Sequence, residues 1–117
     1  MKIVLIQCPV WGTYDPPVAL AQLSSCLKRE GHGVKAFDLN IKLYRNRADN
    51  YKNMWAWEQS LFWYDEGMVN KFFRDNAATM EDYAREIIDT GADIIGFSVN
   101  AASKLFSIEL SRILKSK

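Results

Sequence analysis

Hydrophobic and polar positions along the first forty residues predict a β-α-β unit. Residues 3–6 (IVLI) form an unbroken aliphatic run, and a strand that is apolar on both faces is typical of the centre of a parallel sheet. Leucines then recur at helical spacing over residues 18–29, and Gly31 is a typical helix end. Residues 34–39 alternate between apolar and polar, which predicts a second strand nearer an edge. The crossover between these strands should be right-handed.

The last forty residues repeat this alternation. An apolar stripe predicts a helix over 79–90, with Thr79 as its N-cap and Gly91 as its end. Residues 93–99 (DIIGFSV) predict a third strand, and residues 104–115 a last helix. We therefore expect an α/β fold: a partial flavodoxin-like, or Rossmann-like, three-layer sandwich with three parallel strands ordered 2-1-3.

Residues 40–76, which we call the aromatic insert, interrupt this pattern. The segment is too long for a plain connection in such a fold. Its apolar residues fall at helical intervals, which predicts one or two helices. The residues on that stripe are Trp57, Leu61, Tyr64, Met68 and Phe72. We interpret the insert as a satellite core rather than a binding surface.

Composition narrows the function classes. At 117 residues the chain is at most one domain, and a net charge of +1 gives no electrostatic reason to expect nucleic acid or membrane binding. No apolar run approaches the ~20 residues of a membrane span. Two cysteines favour a reducing cytoplasm over a disulfide framework and exclude a three-cysteine cluster within this chain.

Individual candidates for chemistry have ordinary structural explanations. The loop after the first strand has only Gly12 where a dinucleotide fingerprint needs three glycines. Asp38 is interpreted as a turn-forming or surface residue, and His32 as a solvated residue at the amino end of a strand. Cys8 is interpreted as a buried, inert thiol. With no acid–base pair, metal cluster or nucleophile triad, the residues indicate a binding module without catalytic groups of its own.

The carboxyl ends of the strands are where a ligand should bind. In open α/β sheets ligands lie outside those ends. Because the first and third strands are predicted to be parallel neighbours, the loops over residues 9–14 and 98–100 should lie side by side. These loops are therefore the predicted site.

The sequence also resembles that of a known family. The stretch KIVLIQCPVWGTYDPPVALAQLSSCLKREGHGVKAFDLN is similar to the start of the cobalamin-binding domain that precedes the catalytic domain of radical S-adenosylmethionine enzymes. The shared features are the Cys8-Pro9 loop, the small-residue and leucine helix, the Glu-Gly-His turn at residues 30–32 and a strand ending at Asp38. DIIGFS, at residues 93–98, is similar to the family's third strand. The likeness covers most of the chain except the aromatic insert.

The resemblance implies cobalamin as the cofactor and assigns a site. The residues that would face the corrin ring are Pro9, Val10, Trp11, Gly12, Thr13, Tyr14, Ser98, Val99 and Asn100. No histidine stands in the first loop, so, as in the radical-enzyme subgroup, the protein need not ligate cobalt, and no metal-ligating or catalytic residue is assigned. Asn100 replaces the leucine of the usual S-x-L.

The resemblance also implies partners outside these 117 residues. We expect residues 1–117 to be the amino-terminal portion of such a domain. The nucleotide-tail segment, and a catalytic domain holding S-adenosylmethionine and a [4Fe-4S] cluster for methyl transfer or cyclase-type chemistry, would follow Lys117. We expect the isolated chain to self-associate through the third strand's edge or the last helix. Two alternatives stay open: a flavodoxin-like nucleotide- or flavin-binding module, and a receiver-like interaction domain.

Overall fold

A three-stranded parallel sheet organises the protein. The computed structural model describes residues 1–13 and 16–117. Its strands are β1 (Lys2–Gln7), β2 (Gly33–Asp38) and β3 (Ile94–Ser98), in the order β2-β1-β3. The predicted α/β class, the three parallel strands and the 2-1-3 order are thereby confirmed.

Helices cover both faces of this sheet. The α-helices are α1 (Val18–Arg29), α2 (Leu39–Arg45), α3 (Glu66–Asp75), α4 (Ala77–Asp89) and α5 (Lys104–Lys115), and two 3-10 helices span Asp49–Tyr51 and Trp57–Tyr64. The longest of them has 13 residues. Within the described ranges, no helix combines the length and hydropathy that a membrane crossing requires.

The strand register brings all three carboxyl ends to one edge of the sheet. Gln7, the last residue of β1, is level with Asp38 of β2 and with Ser98 of β3. The segments that follow the three strands therefore start beside one another. This edge is the one at which ligands bind in open α/β sheets.

The two faces of β1 pack against unequal layers. Val4 and Ile6 face the larger core, which α2 to α5 and the aromatic insert complete. Ile3 and Leu5 face the smaller core under α1, where Leu20 is buried. Because both faces of β1 are covered, its unbroken aliphatic run is explained by its central position.

The aromatic insert belongs to the main core, so its interpretation as a satellite core is wrong. Trp63 and Phe72 are buried in the same cluster as Val4 and Ile6 of the central strand. The Trp63 and Phe73 rings lie 6.2 Å and 4.6 Å from the ring of Phe106 on α5. The insert thus fills the space between β1 and α5.

The apolar stripe predicted for the insert is also wrong. Trp57 is 85% exposed and Leu61 is 78% exposed, and Tyr64 and Met68 are exposed as well, although Phe72 is buried. The reason is geometric. Residues 57–64 form a 3-10 helix with three residues per turn, and the chain leaves helical geometry at Asp65 before α3 begins. One α-helical spacing therefore cannot extend across both segments.

The residues predicted to lie at helix ends and turns have those positions in the structure, with the exception of Thr79. Gly31 and Gly91, with φ of +90° and +69°, follow α1 and α4 in the left-handed conformation that ends helices. Asp38 accepts a 3.1 Å hydrogen bond from the Ile41 N–H and so caps α2, in agreement with its predicted turn role. Thr79 is not an N-cap, because α4 already begins at Ala77, directly after α3.

Candidate ligand-binding site

A cleft of about 480 Å³ opens at the carboxyl edge of the sheet. One side is formed by the loop after β1 and the other by the aromatic insert, with the loop after β3 between them. Its lining residues are Val10, Trp11, Gly12, Thr13, Met54, Trp55, Ala56, Trp57, Ser60, Tyr64, Asn100 and Ala102. The cleft thus lies where the fold class places ligands.

The structure brings the two predicted loops together at this cleft. Val10 to Thr13 and Asn100 line it, which agrees with the predicted proximity of the loops after β1 and β3. Pro9 is fully buried and does not line the cleft. Tyr14 lies outside the described residues.

Two of the predicted residues do not line the cleft. Ser98 is half-buried at the end of β3, level with Gln7. Val99 is 54% exposed. In the loop between β3 and α5, Asn100 and Ala102 line the cleft, and of these only Asn100 is one of the predicted residues.

Asn100 lines the cleft and closes the turn that precedes α5. Its backbone N–H donates to the Ser103 Oγ at 3.0 Å, and the Ser103 N–H donates to the Asn100 Oδ1 at 2.9 Å. This reciprocal pair satisfies two backbone donors of the turn. The Asn100 side-chain oxygen is therefore already engaged.

Half of the cleft comes from insert residues that the sequence reasoning did not assign to the site. Trp55, Trp57 and Tyr64 supply aromatic surface, and Ser60 supplies a hydroxyl. Trp55 also packs edge-on against the buried Trp63, with ring centroids 5.1 Å apart. The density of aromatic residues in the insert was the available signal. A high density of aromatic residues is equally typical of a buried core, and only the fold shows which of these residues line the cleft and which are buried.

Asn40 links the two walls. It is 2% exposed and lies in the first turn of α2, directly beyond β2. Its Oδ1 accepts hydrogen bonds from the Trp11 backbone N–H at 3.1 Å and from the Trp55 indole N–H at 2.9 Å. Its Nδ2 donates to the Trp11 carbonyl at 3.1 Å. One buried amide therefore holds the loop after β1 and the insert together.

The described lining residues carry no formal charge. The polar groups among them are the hydroxyls of Thr13, Ser60 and Tyr64, the Asn100 amide and the indole N–H groups. Phosphate groups are normally held by arginine, lysine or a series of backbone N–H groups at a glycine-rich turn. The described cleft thus suits a planar, mostly neutral ring better than a phosphate-rich ligand.

Metal-ligating groups are not gathered at the cleft. The only histidine of the chain, His32, precedes β2 at the opposite edge of the sheet, with its Nδ1 3.4 Å from the amino terminus. The described parts of the chain contain no group of three or more histidine, cysteine, aspartate or glutamate side chains able to hold a metal ion. This chain therefore cannot supply a histidine ligand from the cleft.

Cys8 lies behind the cleft as a buried thiol, as the sequence predicts. Burial raises its pKa from 9.0 to about 12, and a hydrogen bond with the Ser107 side chain opposes that shift in part. A thiol with so high a pKa is protonated at neutral pH and is a poor nucleophile. Cys8 is thus part of the core.

Comparison with known proteins gives no family assignment. No protein-family model, curated protein or solved structure matches this chain.

Proposed function

We propose that this chain is a cobalamin-binding module of the kind that precedes the catalytic domain of radical S-adenosylmethionine enzymes. The observation that carries the proposal is the aromatic-walled cleft at the carboxyl ends of β1 and β3, whose described lining residues are uncharged. It stands where ligands bind in this fold class. The family resemblance of the sequence supports the corrin ring as the ligand.

The side chains around the cleft fit a large planar ring. Trp11 is 39% exposed and Trp57 is 85% exposed, although tryptophan is costly to leave in water. Exposed aromatic surface grouped at a concave site is typical of a ligand-binding face. The indole faces would contact the ring, and the cleft would exclude water from one side of it.

The side chains of the cleft fit a corrin whose cobalt receives no histidine ligand from this chain. His32 lies at the far edge of the sheet, and the described lining residues include no thiolate or carboxylate. When bound, cobalamin would supply methyl-transfer or radical chemistry to a catalytic domain holding S-adenosylmethionine and a [4Fe-4S] cluster. The residues of this chain would bind and orient the ring.

A cytoplasmic location is part of this proposal. Cys8 and Cys26 are both free thiols, and Cys26 is exposed. An unpaired exposed thiol is typical of a reducing compartment.

A flavin- or nucleotide-binding module is the competing proposal. Aromatic walls such as Trp11 and Trp57 would also stack on an isoalloxazine ring. The described lining residues are uncharged, which argues against a phosphate bound within the cleft. In cobalamin the phosphate belongs to the nucleotide tail and not to the corrin ring. A receiver-like module has less support, because Gln7, Cys8 and Ser98 occupy the strand ends at which it needs acidic residues.

Absorbance titrations distinguish these proposals. The 117-residue chain is titrated with hydroxocobalamin, with cobinamide, which is the corrin without its nucleotide tail, and with flavin mononucleotide. We expect both corrinoids to bind weakly and within about 3-fold of each other, because the chain has no Gly-Gly segment for the tail. The bound spectrum should lack histidine coordination. Tighter binding of the flavin, or no corrinoid binding, would overturn the proposal.

A further inference from the structure

We propose that Asn40 is the positioning residue that sets the width of the cleft and thereby the thickness of the ring that the cleft accepts. This inference rests on the proposed function and extends it from the presence of a site to its selectivity. It concerns a residue outside the two predicted loops. Its support is geometric.

Asn40 makes hydrogen bonds with residues of both walls. Its amide makes three hydrogen bonds, two to the backbone of Trp11 and one to the indole of Trp55, at 2.9–3.1 Å. The side chain is 2% exposed, so water does not compete for these bonds. In the described residues, Trp11 has no other hydrogen bond to a side chain.

These bonds fix a distance across the cleft. Trp11 belongs to the loop after β1, and Trp55 belongs to the insert, so the two walls come from segments more than forty residues apart. Because Asn40 Oδ1 accepts from both walls, each is held within hydrogen-bond reach of one atom. Without that atom, the two walls lose the hydrogen bonds that join them through Asn40, and each is positioned only by its own packing against the main core. The opening between them is then less constrained.

Ring thickness is the property that such a spacing selects. Both rings are broadly planar, but a corrin is puckered and carries axial groups, whereas an isoalloxazine ring is flat. Neither cobinamide nor riboflavin brings a phosphate that the cleft would have to bind. Their other chemical differences are the same for every variant, so a change in the ratio of the two dissociation constants between variants reports on the width of the cleft.

The test compares this ratio in the wild type, Asn40→Ala and Asn46→Ala. Asn46 ends the same helix and is exposed, and its side chain bonds to the Lys42 carbonyl and to the Tyr83 side chain but to neither Trp11 nor Trp55, so its variant is a matched control. We expect Asn40→Ala to change the cobinamide-to-riboflavin ratio by about ten-fold or more, and Asn46→Ala to leave it unchanged. Equal weakening of both ligands, or no change, would show a merely structural role and would overturn the proposal.

A second variant covers the case in which Asn40→Ala does not fold. Asn40→Asp has nearly the same shape and keeps both acceptor bonds, but as the ionised carboxylate, at a pH well above the carboxyl pKa, it has no donor for the Trp11 carbonyl. We expect its cobinamide-to-riboflavin ratio to lie between the ratio of the wild type and the ratio expected when no hydrogen bond joins the two walls. A ratio identical to that of the wild type would count against the proposal.

Ligand-free spectra separate this proposal from the proposed function. In nitrogen-15 NMR spectra, Asn40 variants should shift the Trp11 amide and the Trp55 indole resonances. The Trp63 indole, which is bonded to the Met54 carbonyl, should stay in place. If the wild type binds neither ring, the proposed function fails and the selectivity of Asn40 fails with it. If the rings bind but the Trp11 and Trp55 resonances do not move, only the role of Asn40 is overturned.

Discussion

The indole N–H of Trp63 donates a 2.7 Å hydrogen bond to the backbone carbonyl of Met54. Trp63 is buried in the main core, whereas Met54 lines the cleft. The bond therefore ties a wall of the candidate site to the core of the domain. Trp55, the next residue along the wall, packs on the same Trp63 ring. The shape of the cleft thus depends on the packing of the insert.

Substituting Trp63 should destabilise the fold far more than substituting Trp57. Trp63→Phe keeps much of the apolar volume but leaves a cavity and removes the donor for the Met54 carbonyl, so we expect the free energy of unfolding to fall by about 2–3 kcal/mol. Trp57→Phe, at an 85% exposed position, should change it by less than about 0.5 kcal/mol. Urea denaturation followed by circular dichroism measures both. Equal losses in the two variants would contradict the structure.

The Cys8 thiol should make stability depend on pH in the alkaline range. Burial raises its folded-state pKa from the ordinary value of 9.0 to about 12. The thiol stays protonated in the folded chain while it ionises in the unfolded chain, so its stabilising contribution is full below pH 9 and is lost as pH rises toward 12. The difference in unfolding free energy between the wild type and Cys8→Ala should shrink over that range. Cys26→Ala, at an exposed thiol, is the control, and an unchanging difference for Cys8→Ala would refute the assignment.

Thiol labelling at neutral pH provides an independent check on Cys8. Cys26 is exposed and Cys8 is buried, so a water-soluble disulfide reagent should modify one thiol quickly in the folded protein. The second thiol should react only at the rate of unfolding. Fast labelling of two thiols under native conditions would show that Cys8 is accessible.

The strands could be predicted from the hydrophobic pattern, because the pattern of each strand reflects which of its faces are buried. The IVLI run of β1 is buried on both faces, and the alternating β2 is an edge strand, as its pattern indicated. The adjacency of the loops after β1 and β3 followed from the parallel order. None of these inferences required knowledge of the insert.

The insert could not be predicted because its hydrophobic residues serve two purposes. Phe72 and Trp63 fill the core, whereas Trp57 and Leu61 face outward. Residues 57–64 form a 3-10 helix, and the chain leaves helical geometry at Asp65. No single helical period therefore relates the buried positions of the insert to one another. The role of Asn40 could not be predicted either, since its three hydrogen bonds go to two residues, Trp11 and Trp55, that lie far apart in the sequence.

The outer edge of β3 should mediate self-association of this chain. Within the described residues no strand pairs with that edge, and Ile94–Ser98 contains neither proline nor charge to discourage pairing. Antiparallel pairing centred on Gly96 would set Ile95 opposite Phe97 of a second copy, a favourable cross-strand pair. We expect light scattering to show dimers as concentration rises toward about 1 mM.

A charge on the β3 edge tests that expectation. Ile94 is 46% exposed, so Ile94→Lys should fold and remain monomeric. Leu23→Lys, at a similarly exposed position on α1, should dimerise like the wild type. A monomeric wild type at the highest concentration would contradict the expectation, as would a dimer that Ile94→Lys leaves intact.

Mapping the contact surface of a bound corrin tests the central claim most directly. Cobinamide is added to the nitrogen-15-labelled 117-residue chain, and the amide and indole shifts are followed by NMR. The cleft predicts shifts concentrated in residues 10–13, 54–64 and 100–102, including the Trp11 and Trp57 indoles. His32 and its neighbours, at the opposite edge of the sheet, should not move. Shifts centred on His32, on α1 or on no single region of the chain would show that the cleft is not a corrin site.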